Sequence, residues 1–142
     1  HHTDSLQIHD SLISRMVYDK LWPAGSEYMK KYPHAKQSFH YGGYSWKLQK
    51  TSKGGGYHIW HDEKSSLYAF RTFFWIFYLN TLEKGGETQF FYKPHTVAPT
   101  QGRLLISPST FEYTHRGNIH WNEKPKYVAT GWLYLTPDKE NQ

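Results

Sequence analysis

Between residues 4 and 21 the apolar side chains Leu6, Leu12, Ile13, Met16, Val17 and Leu21 return at the intervals of one helical face, with Asp4 or Ser5 available as a cap. The run Trp22-Pro23-Ala24-Gly25 is expected to end that helix, because proline lacks the N–H that the next turn needs. Residues 26–40 are polar, contain Tyr32-Pro33, and leave room for a short second helix over 27–31. From residue 41 the period shortens toward two. Strands are predicted near 44–51, 57–63, 70–80, 87–93, 95–98, 102–107, 110–116 and 126–136. The punctuation is Gly54-Gly55-Gly56, Gly85-Gly86, Pro99 to Gly102, Ser107-Pro108 and Gly117-Asn118. Short strands at such spacing behind an N-terminal helix predict a mainly β sandwich or barrel propped by helix.

Length and composition narrow this picture. A chain of 142 residues fits one domain and one site. Trp, Tyr and Phe number 6, 12 and 8, which suits either a β-rich core or an aromatic groove for a peptide, sugar or base. No cysteine is present, so disulfides, thiolate ligands and a cysteine nucleophile are excluded, and a metal must be held by His, Asp or Glu. The net charge of +5 is spread along the chain without a basic cluster, which argues against nucleic acid as a partner. No apolar run approaches a membrane span and residues 1–10 lack a signal-peptide layout, so a soluble protein without a membrane partner is expected. His1 and His2 read as a tag remnant and are set aside.

The stretch GGGYHIWHDE at 54–63 carries the candidate chemistry. Alternate strand residues share a face, so His61 and Glu63 converge while His58, Trp60 and Asp62 fall opposite. Two histidines and one carboxylate with open positions form the ligand set of non-haem Fe(II) oxygenases. A second histidine must then come from elsewhere, and His95, His115 and His120 are the downstream candidates.

The strings GGGYHIWHDE, RTFFWIFYLN, GGETQF, THRGN and KYVATGW, in that order over residues 44–136, resemble the prolyl-4-hydroxylase-like branch of the Fe(II)/2-oxoglutarate-dependent oxygenases. The nearest likeness is a microbial and phage subgroup that uses His-x-Glu. The resemblance implies a jelly-roll (double-stranded β-helix, cupin-like) core over 41–136 with helical support over 1–40, in a single domain 1–142. It implies His61, Glu63 and His115 as metal ligands and catalytic centre. His115 precedes Lys126 by 126 − 115 = 11 positions, the family's interval, whereas His120 is too close and His95 too early.

The same resemblance makes Lys126 the partner of the distal carboxylate of 2-oxoglutarate and Tyr78 a hydroxyl donor to it, the alternative for Tyr78 being a core tyrosine. Trp132 matches an aromatic lining the pocket, with core packing as the alternative, and joins Lys126, Tyr78 and Thr130 as the expected cofactor-binding residues. Thr130 and Arg103 are read as polar groups near the barrel interior that the sequence itself does not place. Tyr57, Trp60 and Arg71, with Tyr41 and Tyr44, are the substrate-side candidates, and Gly42-Gly43 or Ser65-Ser66-Leu67 a lid. Glu63 departs from the aspartate of most members but keeps the charge and the oxygen donors.

The implied cofactors are Fe(II), 2-oxoglutarate as cosubstrate and O2, with ascorbate as an optional addition. The implied reaction is hydroxylation of an unactivated C–H bond, of a prolyl residue in a peptide or protein, with release of succinate and CO2. Free amino acids, small metabolites and alkylated nucleic-acid bases are alternative substrates. A non-catalytic aromatic-rich binding module and a cupin-like enzyme without a 2-oxo acid are alternatives of other classes. The subgroup implies the cytoplasm of a microbe or of a phage-infected host.

Overall fold

The computed structural model describes residues 3–9, 11–36, 40–42, 46–65 and 69–136. Tyr44, Gly43, Ser66 and Leu67 lie outside them, so neither that part of the groove nor either lid is described in full. In chain order the elements are β1 (Thr3–Ile8), α1 (Ser11–Lys31), α2 (Pro33–Lys36), β2 (His40–Gly42), β3 (Trp46–Thr51), β4 (Arg71–Tyr78), β5 (Thr88–Phe90), β6 (Thr96–Val97), β7 (Leu104–Pro108), β8 (His115–Gly117) and β9 (Lys126–Thr136). A single 3-10 turn, Phe111–Tyr113, precedes β8.

Two antiparallel sheets pack face to face. The larger runs β1-β3-β9-β4-β7, with β2 also on β9; the smaller runs β6-β5-β8. The central strand β9 is long enough to pair with β3 and β2 along one edge and with β4 along the other. Strict alternation gives each strand two jobs. From β4 and β9, Phe73, Trp75, Ala129 and Leu133 join Trp46 of β3 in the layer that packs on Leu21 and Met29 of α1. Their neighbours Phe74, Tyr78, Val128 and Trp132 face the other way and meet Phe90 and Val97 of the smaller sheet. One residue interrupts the alternation. The pairing slips between Arg71 and Phe73, so Arg71 stands opposite Tyr134 and is carried onto the inner face.

Several elements differ from the sequence expectation. Residues 27–31, expected as a short second helix, belong to α1 and the short helix is Pro33–Lys36, while residues 111–113 of the strand expected over 110–116 form the 3-10 turn. Residues 3–8 form a strand rather than the start of a helix, paired residue for residue with β3 from Thr3↔Thr51 to Ile8↔Trp46, because β3 would otherwise present a bare edge. The helix starts at Ser11 and passes through Pro23 to Lys31. Its buried stripe is Leu21, Gly25 and Met29, four residues apart, whereas Pro23 is on the solvent face. Burial on both sides of the proline offsets a kink cost of about 3 kcal/mol. The exposed side chains of Leu12, Ile13 and Met16 do not belong to that stripe. Finally, residues 57–63 are not a regular strand: a single bridge joins His61 to His115.

Candidate active site

The path of the 54–63 segment is set by backbone, not by its side chains. The amide of Gly54 donates to His120 O at 2.7 Å, that of His120 to Gly55 O at 3.2 Å and that of Gly117 to Tyr57 O at 2.8 Å. Gly56 must be glycine for this approach, since a Cβ there would lie 2.9 Å from the amide nitrogen of Ile119. The zipper ends where His61 and His115 exchange both backbone hydrogen bonds, at 3.0 and 2.9 Å. His120 completes it from beneath. Its fully buried ring donates from Nε2 to Thr51 O at 2.8 Å, which makes it a clasp between the loop and β3.

The bridge sets two imidazoles side by side, with ring centroids 4.3 Å apart. In each ring Nδ1 lies 2.9 Å from a carbonyl, Ile59 O for His61 and Tyr113 O for His115. A carbonyl only accepts, so each Nδ1 carries a proton and each Nε2 is left to face Glu63, as a hydrogen-bond donor while it holds a proton and as a metal ligand once that proton leaves. Glu63 completes the group: Oε1 is 3.3 Å from Nε2 of His61 and 3.3 Å from Nε2 of His115. The three ligand atoms lie within 4.8 Å of one another, and Oε2 accepts from Nε1 of Trp132 at 2.8 Å. Burial would raise the Glu63 carboxyl, but hydrogen bonds from His115, His61 and Trp132 outweigh it and hold the group well below the usual carboxylate range. Burial likewise pulls His61 down, and Glu63 and Ile59 O more than reverse it. Two neutral imidazole nitrogens and one anionic oxygen suit a divalent first-row ion such as Fe(II).

The group opens into a cavity of about 390 Å³ between the sheets. Alternation on β3 sends Lys47, Gln49 and Thr51 into it, and alternation on β9 sends Lys126, Val128, Thr130 and Trp132. Lys126 is 8% exposed and donates to Gly86 O at 3.1 Å; burial, only partly countered by Glu87, lowers its pKa to about 8. Nearby the Tyr78 hydroxyl and Thr88 Oγ1 are 2.6 Å apart, and burial pushes the Tyr78 pKa up to about 12. Lys126, Tyr78 and Thr88 thus bring one ammonium and two hydroxyls to the same cavity as the His-Glu-His group.

Of the other candidates, Thr130 lines the cavity but donates its hydroxyl to Trp75 O at 2.9 Å. Trp132 lines it and also holds Glu63. Tyr57 packs edge-on to His61 at 4.6 Å, and Arg71 lies 3.6 Å over the Trp132 ring; both line the cavity. Trp60 is outside the lining, held between Phe91 at 5.0 Å and the Arg116 guanidinium at 4.2 Å. Arg103 bonds Ala98 O on the exterior, and His95 is exposed on its turn. Asp62, expected on the opposite face from Glu63, also borders the cavity, because the segment is not a pleated strand; its carboxylate accepts from the amide of Lys64. Sequence reasoning missed Thr88 and the polar face of β3. The alternation of Lys47, Gln49 and Thr51 with Trp46 and Leu48 was a readable signal for the second.

Comparison with known proteins agrees with this geometry. The family model described as the 2OG-Fe(II) oxygenase superfamily matches residues 46–134, the span from β3 into β9 that holds the whole His-Glu-His group and all of its cavity wall but Thr3. Among solved structures, the viral collagen prolyl hydroxylase of Paramecium Bursaria Chlorella virus-1, as its 2OG complex, superposes with a TM-score of 0.71 at 16% identity, over 96% of this chain and 81% of that one. A Pseudomonas putida prolyl-4-hydroxylase gives 0.72 at 17% identity, over 94% and 72%. A prolyl 4-hydroxylase of Phytophthora capsici gives 0.68 at 26% identity, over 93% of this chain and 48% of its own, so the present chain spans about half of it. The shared architecture is the jelly roll. The search of curated proteins gave no match.

Proposed function

The chain belongs to the 2OG-Fe(II) oxygenase superfamily, a dioxygenase family that uses Fe(II), 2-oxoglutarate and O2, and from that premise we propose that it hydroxylates a prolyl residue of a peptide or protein. The observation that carries the reading is the pairing, in one cavity, of a His-Glu-His group with a buried lysine that no carboxylate contacts directly among the described residues. His61, Glu63 and His115 would hold the iron. When bound, Fe(II) couples O2 and the oxidative decarboxylation of 2-oxoglutarate to C–H oxidation, with succinate and CO2 as coproducts.

The remaining work falls to this chain's own side chains. A dicarboxylate entering a half-dry barrel needs its far charge matched, and the Lys126 ammonium supplies that match. The Tyr78 and Thr88 hydroxyls flank it, and burial keeps Tyr78 protonated and therefore a donor. Phe74, stacked on the His115 ring at 4.2 Å, supports the second imidazole and excludes water from one side. Tyr57 and Arg71 border the opening and are read as the substrate side, together with the groove beyond them. Trp60 is read as support for that rim.

Prolyl specificity is supported by the named activities of the structural neighbours. The decisive experiment is anaerobic addition of Fe(II) and 2-oxoglutarate. The wild type should develop the weak visible charge-transfer band of a chelated 2-oxo acid, and His61→Ala should abolish it. A wild type without the band, or an H61A variant that retains it, would sink the assignment and favour a binding module. A peptide library scored for added oxygen mass then tests the prolyl substrate against free amino acids, small metabolites and alkylated bases.

A further inference from the structure

Glutamate has one more rotatable bond than the aspartate most common at this position, enough to turn both carboxylate oxygens toward a metal ion. The structure separates them. Oε1 faces the two imidazoles, 3.3 Å from each Nε2, while Oε2 is turned away and accepts the indole N–H of Trp132 at 2.8 Å. The indole is itself fixed. It is 8% exposed, with the Arg71 guanidinium 3.6 Å over its ring and the Lys47 ammonium at 5.3 Å, and it stands opposite Phe74 in the β4–β9 pairing. Rotating Oε2 toward the imidazoles would strip a buried donor of its acceptor, a penalty that opposes the rotation.

We propose that Trp132 is a positioning residue that restricts Glu63 to a single metal bond through Oε1. The inference rests on the reading of the group as an Fe(II) centre. Its functional weight follows from counting. Three protein atoms on a six-coordinate ion leave three places, of which a chelating 2-oxo acid takes two and O2 needs the third. A second oxygen from Glu63 would fill that third place. A hydrogen bond from a buried neighbour is the ordinary means by which proteins orient a ligand carboxylate. Here it offsets the freedom that the longer side chain introduces.

The test uses W132F, which removes the N–H and keeps an aromatic ring, on the anaerobic Fe(II)–2-oxoglutarate protein with nitric oxide as the probe for the third place. In the wild type the paramagnetic nitrosyl signal should form fully. W132F should bind Fe(II) at least as tightly yet give a signal several-fold weaker, and adding E63D, whose shorter arm favours one oxygen, should restore it. A W132F protein that takes up nitric oxide like the wild type overturns the inference. So does a parallel loss of iron and signal that E63D does not rescue, since that marks a merely structural tryptophan. If W132F does not fold, infrared difference spectra of the wild type on Zn(II) binding decide the matter. Separation of the carboxylate stretches beyond that of the free ion indicates one oxygen, and a narrowed separation indicates two and refutes the proposal. A wild type that binds Zn(II) in this way but shows no Fe(II)–2-oxoglutarate band would instead count against the oxygenase reading alone.

Discussion

Lys126 carries a charge that the fold makes costly. Its pKa of about 8, against 10.5 for the free side chain, means that the unfolded chain holds the proton more tightly between those values. Stability should therefore rise as the pH passes from about 8 toward 10.5, and K126M should abolish this rise, as read by urea denaturation at several pH values. Tyr78 acts in the opposite sense but later: its raised pKa destabilises the folded state only above pH 10. Cosubstrate binding should follow the ammonium. The dissociation constant of 2-oxoglutarate is expected to be flat below about pH 8 and to climb about tenfold per unit above it, while K126M weakens binding by about 2 kcal/mol or more with little change in Fe(II) affinity. Equal losses of iron and cosubstrate would make Lys126 a structural residue.

At this scale the site was largely legible. The family resemblance implies His61, Glu63, His115 and Lys126, choosing His115 over His95 and His120 by the family's interval to Lys126, and the structure brings all four to one cavity. Thr88 and the bond from Trp132 to Glu63 were not legible, because each joins residues brought together only by packing of the two sheets, over 10 and 69 positions of chain.

Among the elements, β9 and β4 bear most of the architecture, and the consequence is sharpest at Gly131. A Cβ there would lie 2.5 Å from Cζ2 of Trp75 and 3.1 Å from Cβ of Trp46, in the layer under α1. G131A should cost about 1–3 kcal/mol in chemical denaturation through overpacking, and Leu21→Ala, on the other side of the same layer, about 2–5 kcal/mol through a cavity. Alternation predicted β3, β4 and β9 well. It failed for residues 3–8 because an apolar residue at helical spacing also fits an edge strand, and the choice is made by the vacant edge of β3. Pro23 misled for a related reason: local propensity was overruled by the buried stripe on either side of it. The shift that turns Arg71 inward leaves no mark in the hydrophobic pattern at all.

For the whole molecule, cofactors should act as staples between the sheets. The His-Glu-His group belongs to the segment paired with the smaller sheet, whereas Lys126 belongs to the larger. A metal and a dicarboxylate bound together therefore join the two layers. Each ligand at a hundred times its dissociation constant should add about 2.7 kcal/mol to unfolding. Scanning calorimetry with Mn(II) and 2-oxoglutarate under argon should show the largest rise when both are present, and H115A should erase the metal's share. Among the described residues no helix is long and apolar enough to cross a membrane.

The reciprocal pair of amides at His61 and His115 gives the site its own clock. Because each donates to the other's carbonyl, neither proton can exchange with deuterated water until the same bridge opens. The two should exchange at one common rate in metal-free protein, and slow together when metal is added. The spacing of the two imidazoles is thus held by main chain before any ion arrives, so loading the centre should require little rearrangement and proceed without a slow folding phase.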